Sequence, residues 1–375
     1  MVNMMRLPPF QLERFFARYE FQAPYLLCSS DCESMSVEEL LSLEPQAREA
    51  LQSLWLGYTE SQGHPELRVE IARLYEQIDA PQVLVHTGAE EAIFTFMNAA
   101  LEPGDHVIVQ TPCYQSLTDV ARSIGCEVTA WQTREQDGWA LDVSFLRGEM
   151  RANTRAIVVN CPHNPTGYLM DQATQRDIIE IARSQHCLLF FDEVYRGLEY
   201  DEQDRLPAAC DLYERAVSLG VMSKAYGLAG LRIGWIATQD RDIYARMAGY
   251  KDYLSICNSA PSEFLAGVAL RQQETLLQRN RKIVLDNLAL LNEFFARYAH
   301  VFAWQPPKAG PIAFPRLLLV QGIEAFCADL VQKKGVLLLP GTAYGDQEQH
   351  FRIGFGRKNM PACLAQLEAY VQENI

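Results

Sequence analysis

AVSLGVMSKAYGLAGLRIGW (216–235) governs how the rest of the chain is read. Its first six residues are apolar and partly β-branched, which predicts a buried strand. Lys224 then stands at that strand's carboxyl end. It is the first lysine of the chain: residues 1–223 contain none and carry their positive charge on arginine. A lysine can lose its proton and form a Schiff base with a carbonyl; an arginine cannot. Taken alone, a lone lysine is also compatible with compositional accident. Ser223 adds a hydroxyl beside it, and Arg232 suits a phosphate held by two parallel hydrogen bonds. Gly227, Gly230 and Gly234 permit close backbone approach. The stretch therefore offers an amine nucleophile next to an anion cradle.

Working outward, VLVH (83–86), HVIVQ (106–110), RAIVVN (155–160) and CLLFF (187–191) are further apolar runs, separated by helical patterns. This alternation predicts an α/β domain with a largely parallel sheet, which binds ligands at the carboxyl ends of its strands. The residues at those ends carry chemistry. Gly88, Ala89 and Glu90 follow VLVH and open a helix, whose amides and dipole favour a phosphate; an ordinary glycine turn reads equally well. If phosphate binds there, the Glu90 and Glu91 side chains must point away. TPCYQS (111–116) places Tyr114 where its ring could cover a flat ligand, or simply join the core. CPHNPTG (161–167) places the Asn164 amide at a strand end. In FFDEVY (190–195), Asp192 leaves an apolar strand, so it needs a cationic partner or good hydrogen bonds. Tyr195 follows it.

Composition bounds the alternatives. The chain has 375 residues, 49% apolar and 21% charged, ordinary values for a globular enzyme. No apolar run reaches the length of a membrane helix, and the N-terminus lacks the pattern of a secretory signal. The formal charge of −14 disfavours nucleic acid and anionic membranes as partners. Ten scattered cysteines lack metal-ligand spacing, so no metal site is expected, and reduced thiols in a cytoplasmic enzyme are the plain reading. We divide the chain into an N-terminal arm (1–45) packing with the small domain, a large domain (46–260), and a connecting helix with a C-terminal α+β domain (261–375). Within the arm, helices are expected around Pro9–Tyr19 and Val37–Leu43. A continuous helical pattern runs over Pro261–Tyr298.

NPTG (164–167), DEVY (192–195) and SKAYGLAGLRIG (223–234), in this order and spacing, resemble the class I/II pyridoxal 5'-phosphate (PLP) aminotransferases of fold type I. The resemblance runs from about residue 50 to the C-terminus. It implies a large domain with a mostly parallel seven-stranded sheet and a smaller α+β domain. It also implies an enzyme that moves an amino group between an α-amino acid and a 2-oxo acid. In that family pattern Lys224 would hold the cofactor as a Schiff base and shuttle protons. Asp192 would keep the ring nitrogen protonated, Tyr195 and Asn164 would bond the ring's phenolic oxygen, and Tyr114 would stack on the ring. Ser223, Arg232 and the backbone at Gly88, Ala89 and Glu90 would hold the phosphate. Tyr58 matches a tyrosine that reaches the neighbouring subunit's phosphate, which implies a homodimer with shared sites. Arg352, in HFRIGFGR, matches the arginine that clamps the substrate α-carboxylate, with Asn164 alongside.

The sequence also departs from the pattern. Val221 stands where members often carry serine or threonine, so Ser223 is expected to supply the phosphate hydroxyl. CSSDCES (28–34) replaces a glycine-containing loop. This arm, CPHNPTG and KDYLSICNSAPSE (251–263) are similar to capreomycidine synthases, PLP enzymes that cyclise a hydroxylated arginine. Cyclisation or β/γ-elimination is therefore the alternative to amine transfer, with Asp31 and Glu33 as candidates to meet a cationic side chain, although solvated or capping acids are the plainer reading of both. Tyr25, Ser29, Tyr250 and Asn258 are candidates for the side-chain pocket. A non-catalytic PLP-binding sensor of a transcription regulator fits poorly with the net charge and the short arm.

Overall fold

The computed structural model describes residues 7–345 and 347–375. The first six residues of the expected arm lie outside them. Seven strands form the central sheet: β1 (Val83–His86), β2 (His106–Thr111), β3 (Glu127–Gln132), β4 (Thr154–Asn160), β5 (Leu188–Asp192), β6 (Ala216–Val221) and β7 (Gly234–Thr238). Their spatial order is β1-β7-β6-β5-β4-β2-β3. Strand β7 pairs antiparallel with both β1 and β6; every other pairing is parallel. The six strands other than β3 are almost wholly buried, as apolar runs covered on both faces should be. Strand β3, at one edge, is mostly solvent-facing.

This topology gathers the chemistry-bearing loops. Six strands end at one edge of the sheet, and the reversed β7 begins there. The segments after β1, β2, β4, β5 and β6 and the segment before β7 therefore share that edge. Register tightens the arrangement: Asn160, last in β4, pairs with Asp192, last in β5.

The N-terminal segment lies over the same edge. Helix α1 (Gln11–Tyr19) is held to the loop after β2, where Gln11 N–H donates to Gln115 Oε1 (2.8 Å) and Gln115 Nε2 donates to the Pro9 carbonyl (3.0 Å). Further on, Tyr25–Leu26 pairs in parallel with Val336–Leu337. Leu27, Cys28 and Cys32 are buried. At Gly354 a Cβ would lie 1.9 Å from the Ser29 carbonyl oxygen, so only glycine lets the arm pass so close to the strand Phe351–Gly354. That approach brings Ser29, Ser30 and Asp31 to the sheet edge.

The expected second helix of the arm forms over Val37–Leu41, with a reciprocal Ser36–Glu39 capping box. Helix α2 (Ala89–Ala100) follows β1 as expected. The continuous helix expected over Pro261–Tyr298 is instead two helices, α3 (Ala260–Arg271) and α4 (Gln273–Arg297), broken at Gln272 with φ −108° and ψ 21°. The break falls in Arg271-Gln272-Gln273, where no apolar side chain anchors the pattern. After residue 310, where the apolar pattern predicts strand–helix–strand–strand–helix, two short strands (Ile312–Ala313, Arg316–Leu317) precede the helix Ile323–Lys334, and three (Val336–Leu337, Leu339–Pro340, Phe351–Gly354) precede the helix Met360–Asn374. Among the described residues no helix is long and apolar enough to cross a membrane.

Helix α4 is tied to the C-terminal strand through Asn287, whose Nδ2 donates to the carbonyls of Phe355 (2.8 Å) and Arg357 (2.9 Å). Asn287 is buried, and its bond to Phe355 is removed from water. Asn287→Ala should therefore cost about 1–3 kcal/mol, read as a lower denaturant midpoint. An unchanged midpoint would show that this bridge contributes nothing.

Candidate active site

A cleft of about 420 Å³ opens at the carboxyl edge of the sheet. Lys224 lies at its floor, and its Nζ donates to Ser30 Oγ (2.8 Å). Burial pushes this amine down to about 8, with Asp31 and Asp192 opposing the shift and Arg352 adding to it. Asp192, 6% exposed, accepts from the Val194 amide (3.2 Å), and burial pushes its carboxyl up to about 7. Asn160 braces this corner: its Nδ2 donates to the Asp192 carbonyl (2.9 Å), and its Oδ1 accepts from the Asn164 amide (2.7 Å). Tyr195 also lines the cleft, and its hydroxyl is buried without a hydrogen-bond partner among the described residues. A buried hydroxyl left in this state calls for a ligand atom.

The anion cradle forms where α2 meets the start of β7. Gly88 has φ +87°, and a Cβ there would stand 2.6 Å from Arg232 Nη2. A Cβ on Gly234 would stand 2.7 Å from the Gly88 carbonyl carbon. Both positions exclude a side chain and leave the first amides of α2 open beside the Arg232 guanidinium, the geometry a phosphate needs. Ser223, Ala89 and Glu90 line the same cleft. Gly230 differs from expectation, because a Cβ there would meet nothing. The Glu90 side chain also differs. Instead of pointing away, it lines the cleft and accepts from Ser116 Oγ (3.0 Å). Only Glu91 turns back, accepting from the Thr87 amide (2.6 Å). Tyr114 lines the cleft with its hydroxyl donating to Glu13 Oε1 (3.1 Å) and its ring 5.0 Å from that of Phe10.

Arg352 is 2% exposed. Its Nε and Nη2 donate to the Cys28 carbonyl (3.1 and 2.9 Å), and its Nη1 donates to Asn164 Oδ1 (3.3 Å) and to the Tyr344 hydroxyl. All these partners are neutral, and no carboxylate pairs with Arg352 among the described residues. A buried guanidinium without a counter-charge is costly, so this position is built to receive an anion.

Ten of the twelve expected site residues thus line one cleft; Gly88 abuts it through Arg232. Tyr58 does not join them and is 88% exposed. Asp31 lines the cleft and pairs with Arg357 (2.9 Å), while Glu33 does not line it and accepts from the Lys358 amide (2.9 Å). Of the side-chain pocket candidates, Ser29 lines the cleft; Tyr25, Tyr250 and Asn258 do not. Sequence reasoning missed Glu13 and Glu20 of the N-terminal segment, Ser30, Asn160 and Tyr344. Asn160 carried a signal as the polar end of an apolar strand. The others come from chain segments distant in sequence and carried none.

A neutral amine is the nucleophile, so acylation of cofactor-free Lys224 should speed up with rising pH and level off above about 8. Peptide mapping of the time course checks this. A rate still climbing steeply well above that pH would show an amine that the cleft does not perturb.

A model of the family "Aminotransferase class I and II" matches residues 24–364. Capreomycidine synthase of Streptomyces vinaceus is 30% identical over 351 residues, which is 93% of this chain and 90% of the relative. A crystal structure of a PLP-dependent aminotransferase from Streptococcus suis superposes with a TM-score of 0.93 at 31% identity, covering 98% of this chain and 99% of that one. The PLP-dependent cyclase OrfR superposes with a TM-score of 0.90 at 29% identity, covering 99% and 98%. The mostly parallel seven-stranded sheet is that of the fold type I transferases. The orphaned Tyr195 hydroxyl and the cradle at Gly88, Gly234 and Arg232 fit a flat, phosphorylated cofactor. The chain accordingly belongs to the class I and II aminotransferases, the PLP-dependent enzymes of fold type I.

Proposed function

We propose that the protein is a PLP-dependent aminotransferase, moving an amino group between an α-amino acid and a 2-oxo acid. The observation that carries this reading is Arg352, a buried, carboxylate-free guanidinium in the same cleft as Lys224. When bound, PLP supplies an electron sink for the carbon that bears the substrate's amino group. The chain's own residues do the rest. Arg352 holds the α-carboxylate and so fixes which bond at that carbon faces Lys224. The Lys224 amine, brought towards neutrality by burial, would take the proton from that carbon and act as the acid that returns it. Asp192, ionised, would stand against a protonated ring nitrogen and keep the sink effective. Asn164 Oδ1 is occupied by Arg352 and Tyr344, so its Nδ2 would be free to donate, beside the Tyr195 hydroxyl, to the ring's phenolic oxygen. Tyr114 would cover the ring face. Ser223, Arg232 and the amides of Ala89 and Glu90 would take the phosphate.

A second reading keeps the same machinery but ends in elimination or cyclisation. It is favoured by the name of one relative and by Glu13 and Glu20, two carboxylates lining the cleft without an ion-pair partner among the described residues. Donor panels separate the two. Amine transfer leaves the cofactor as pyridoxamine phosphate and releases a 2-oxo acid; elimination releases ammonia, and cyclisation does neither.

We also propose a cytoplasmic homodimer. Trp55, Leu56, Tyr58, Tyr253, Leu254 and Ile256 are exposed apolar side chains. Their two segments are joined through Lys251, whose Nζ donates to the Ser61 (2.7 Å) and Ile256 (2.9 Å) carbonyls. Such a patch supports burial against a second copy, with Tyr58 reaching the neighbouring subunit's phosphate.

Two outcomes follow. Arg352→Ala should lower kcat/KM for every amino donor about a hundredfold or more, the loss expected of a buried charge-assisted pair. Undiminished turnover would remove Arg352 from the substrate site. Sedimentation should give a dimer, and Tyr58→Phe should weaken cofactor retention without dissociating it. A monomer with full activity would contradict the shared site.

A further inference from the structure

Glu90 is the second residue of α2, and its amide is one of those open to the anion cradle. Its carboxyl does not leave the site: it turns into the cleft and accepts from Ser116 Oγ (3.0 Å). The groups around it come from every wall. Asp192 stands at the end of β5, Glu13 reaches in from α1, and Tyr114 and Ser116 follow β2. Lys224, Arg232, Arg352 and Arg357 are the cations lining the cleft, and Glu20 and Asp31, the latter paired with Arg357, are its other carboxylates. Glu91, the other acid of this helical turn, is taken up by the Thr87 amide and faces His86, so it does not compete. A helix N-terminus stabilises negative charge placed on it. A phosphate and an ionised Glu90 would nevertheless put two anions at one helix end, in a cleft already holding Asp192 and Glu13.

We propose that Glu90 is carried as the neutral acid whenever the cofactor's phosphate occupies the cradle, so that cofactor binding takes up a proton from solvent at this side chain. The inference rests on the phosphate reading given above. Burial, and secondarily Glu13, already push the carboxyl up to about 7, against the lowering effect of the Ser116 hydroxyl. Near neutral pH the cofactor-free cleft is therefore divided between the two forms, and the phosphate selects one. Neutral Glu90 also gains an O–H donor in place of a repelling charge. The cradle thus admits its ligand more weakly as pH rises, and Glu90 is a positioning residue whose charge state is set by the cofactor.

The test uses pyridoxamine 5'-phosphate, which carries the phosphate but no aldehyde to react with Lys224. Its affinity is measured for the wild-type protein and Glu90→Gln from about pH 6 to about pH 9, beyond the phosphate's own second ionisation near pH ~6. Calorimetry in buffers of different ionisation heat gives the protons taken up. The two proteins should bind alike at the acid end. Above about pH 7 the Gln variant should gain on wild type, by up to about tenfold per pH unit, and wild type should take up more protons than the variant. Comparing pyridoxamine with its phosphate on wild type alone repeats the test without a substitution: only the phosphate should drive the extra uptake. Parallel pH profiles with equal uptake would overturn the proposal while leaving the phosphate site intact. No binding of the phosphate by either protein at any pH would overturn the phosphate reading and this inference together.

Discussion

The antiparallel pairing of β6 with β7 is the constraint on which the site depends. Val221 pairs with Gly234, so the twelve residues between them must leave and re-enter the sheet at the same edge. That excursion carries Lys224 out and Arg232 back. Were β7 parallel to its neighbours, its start would lie at the opposite edge, and the guanidinium would be a sheet's width away from the amine. Gly234 then lets β7 begin against Gly88, whose lack of a side chain makes room for the Arg232 guanidinium. Amine, guanidinium and open amides meet because of one reversed strand and two missing side chains.

Within that frame the cleft balances opposing charges at low solvent access. Burial works on three of them in the direction of neutrality: the Lys224 amine is pushed down to about 8, and the Asp192 and Glu90 carboxyls are pushed up to about 7. Arg352 cannot lose its proton, so it keeps its charge and is propped by neutral oxygens until an anion arrives. The site is thus poised, with Lys224, Asp192 and Glu90 near neutral pH and the buried Arg352 cation awaiting a carboxylate. A bound cofactor and substrate would bring the phosphate, ring cation and carboxylate that these groups lack as partners.

Much of this was legible in the sequence because it is local. An apolar strand followed by a polar residue and a glycine- or proline-bearing turn marks a strand end. Asp192, Asn164, Gly88 and Lys224 all sit in such places. The missing elements are those set by distant segments. Tyr344 and Arg352 meet Asn164 across 180 and 188 residues, and Asp31 meets Arg357 across 326. No periodicity reports such contacts. Helix α1 has an amphipathic pattern that shows a face to be buried, but not that the face would cover the cleft with Glu13 beneath Tyr114. The direction of Glu90 escapes sequence reasoning for a related reason. First-turn acids normally point to solvent, and only the packing of Ser116 and Tyr114 turns this one inward. The break at Gln272 shows the converse: apolar spacing resumes in phase after it, so periodicity alone runs through a kink in the backbone.

The central claim is that the cleft binds PLP and that Lys224 is the residue that holds it. Reducing the purified, PLP-loaded protein with borohydride and mapping its peptides tests this directly. The account predicts one pyridoxyl-phosphate adduct per chain, on Lys224, with none on buried Lys251 or on any other lysine. An adduct elsewhere, or no adduct after full loading with PLP, would contradict it.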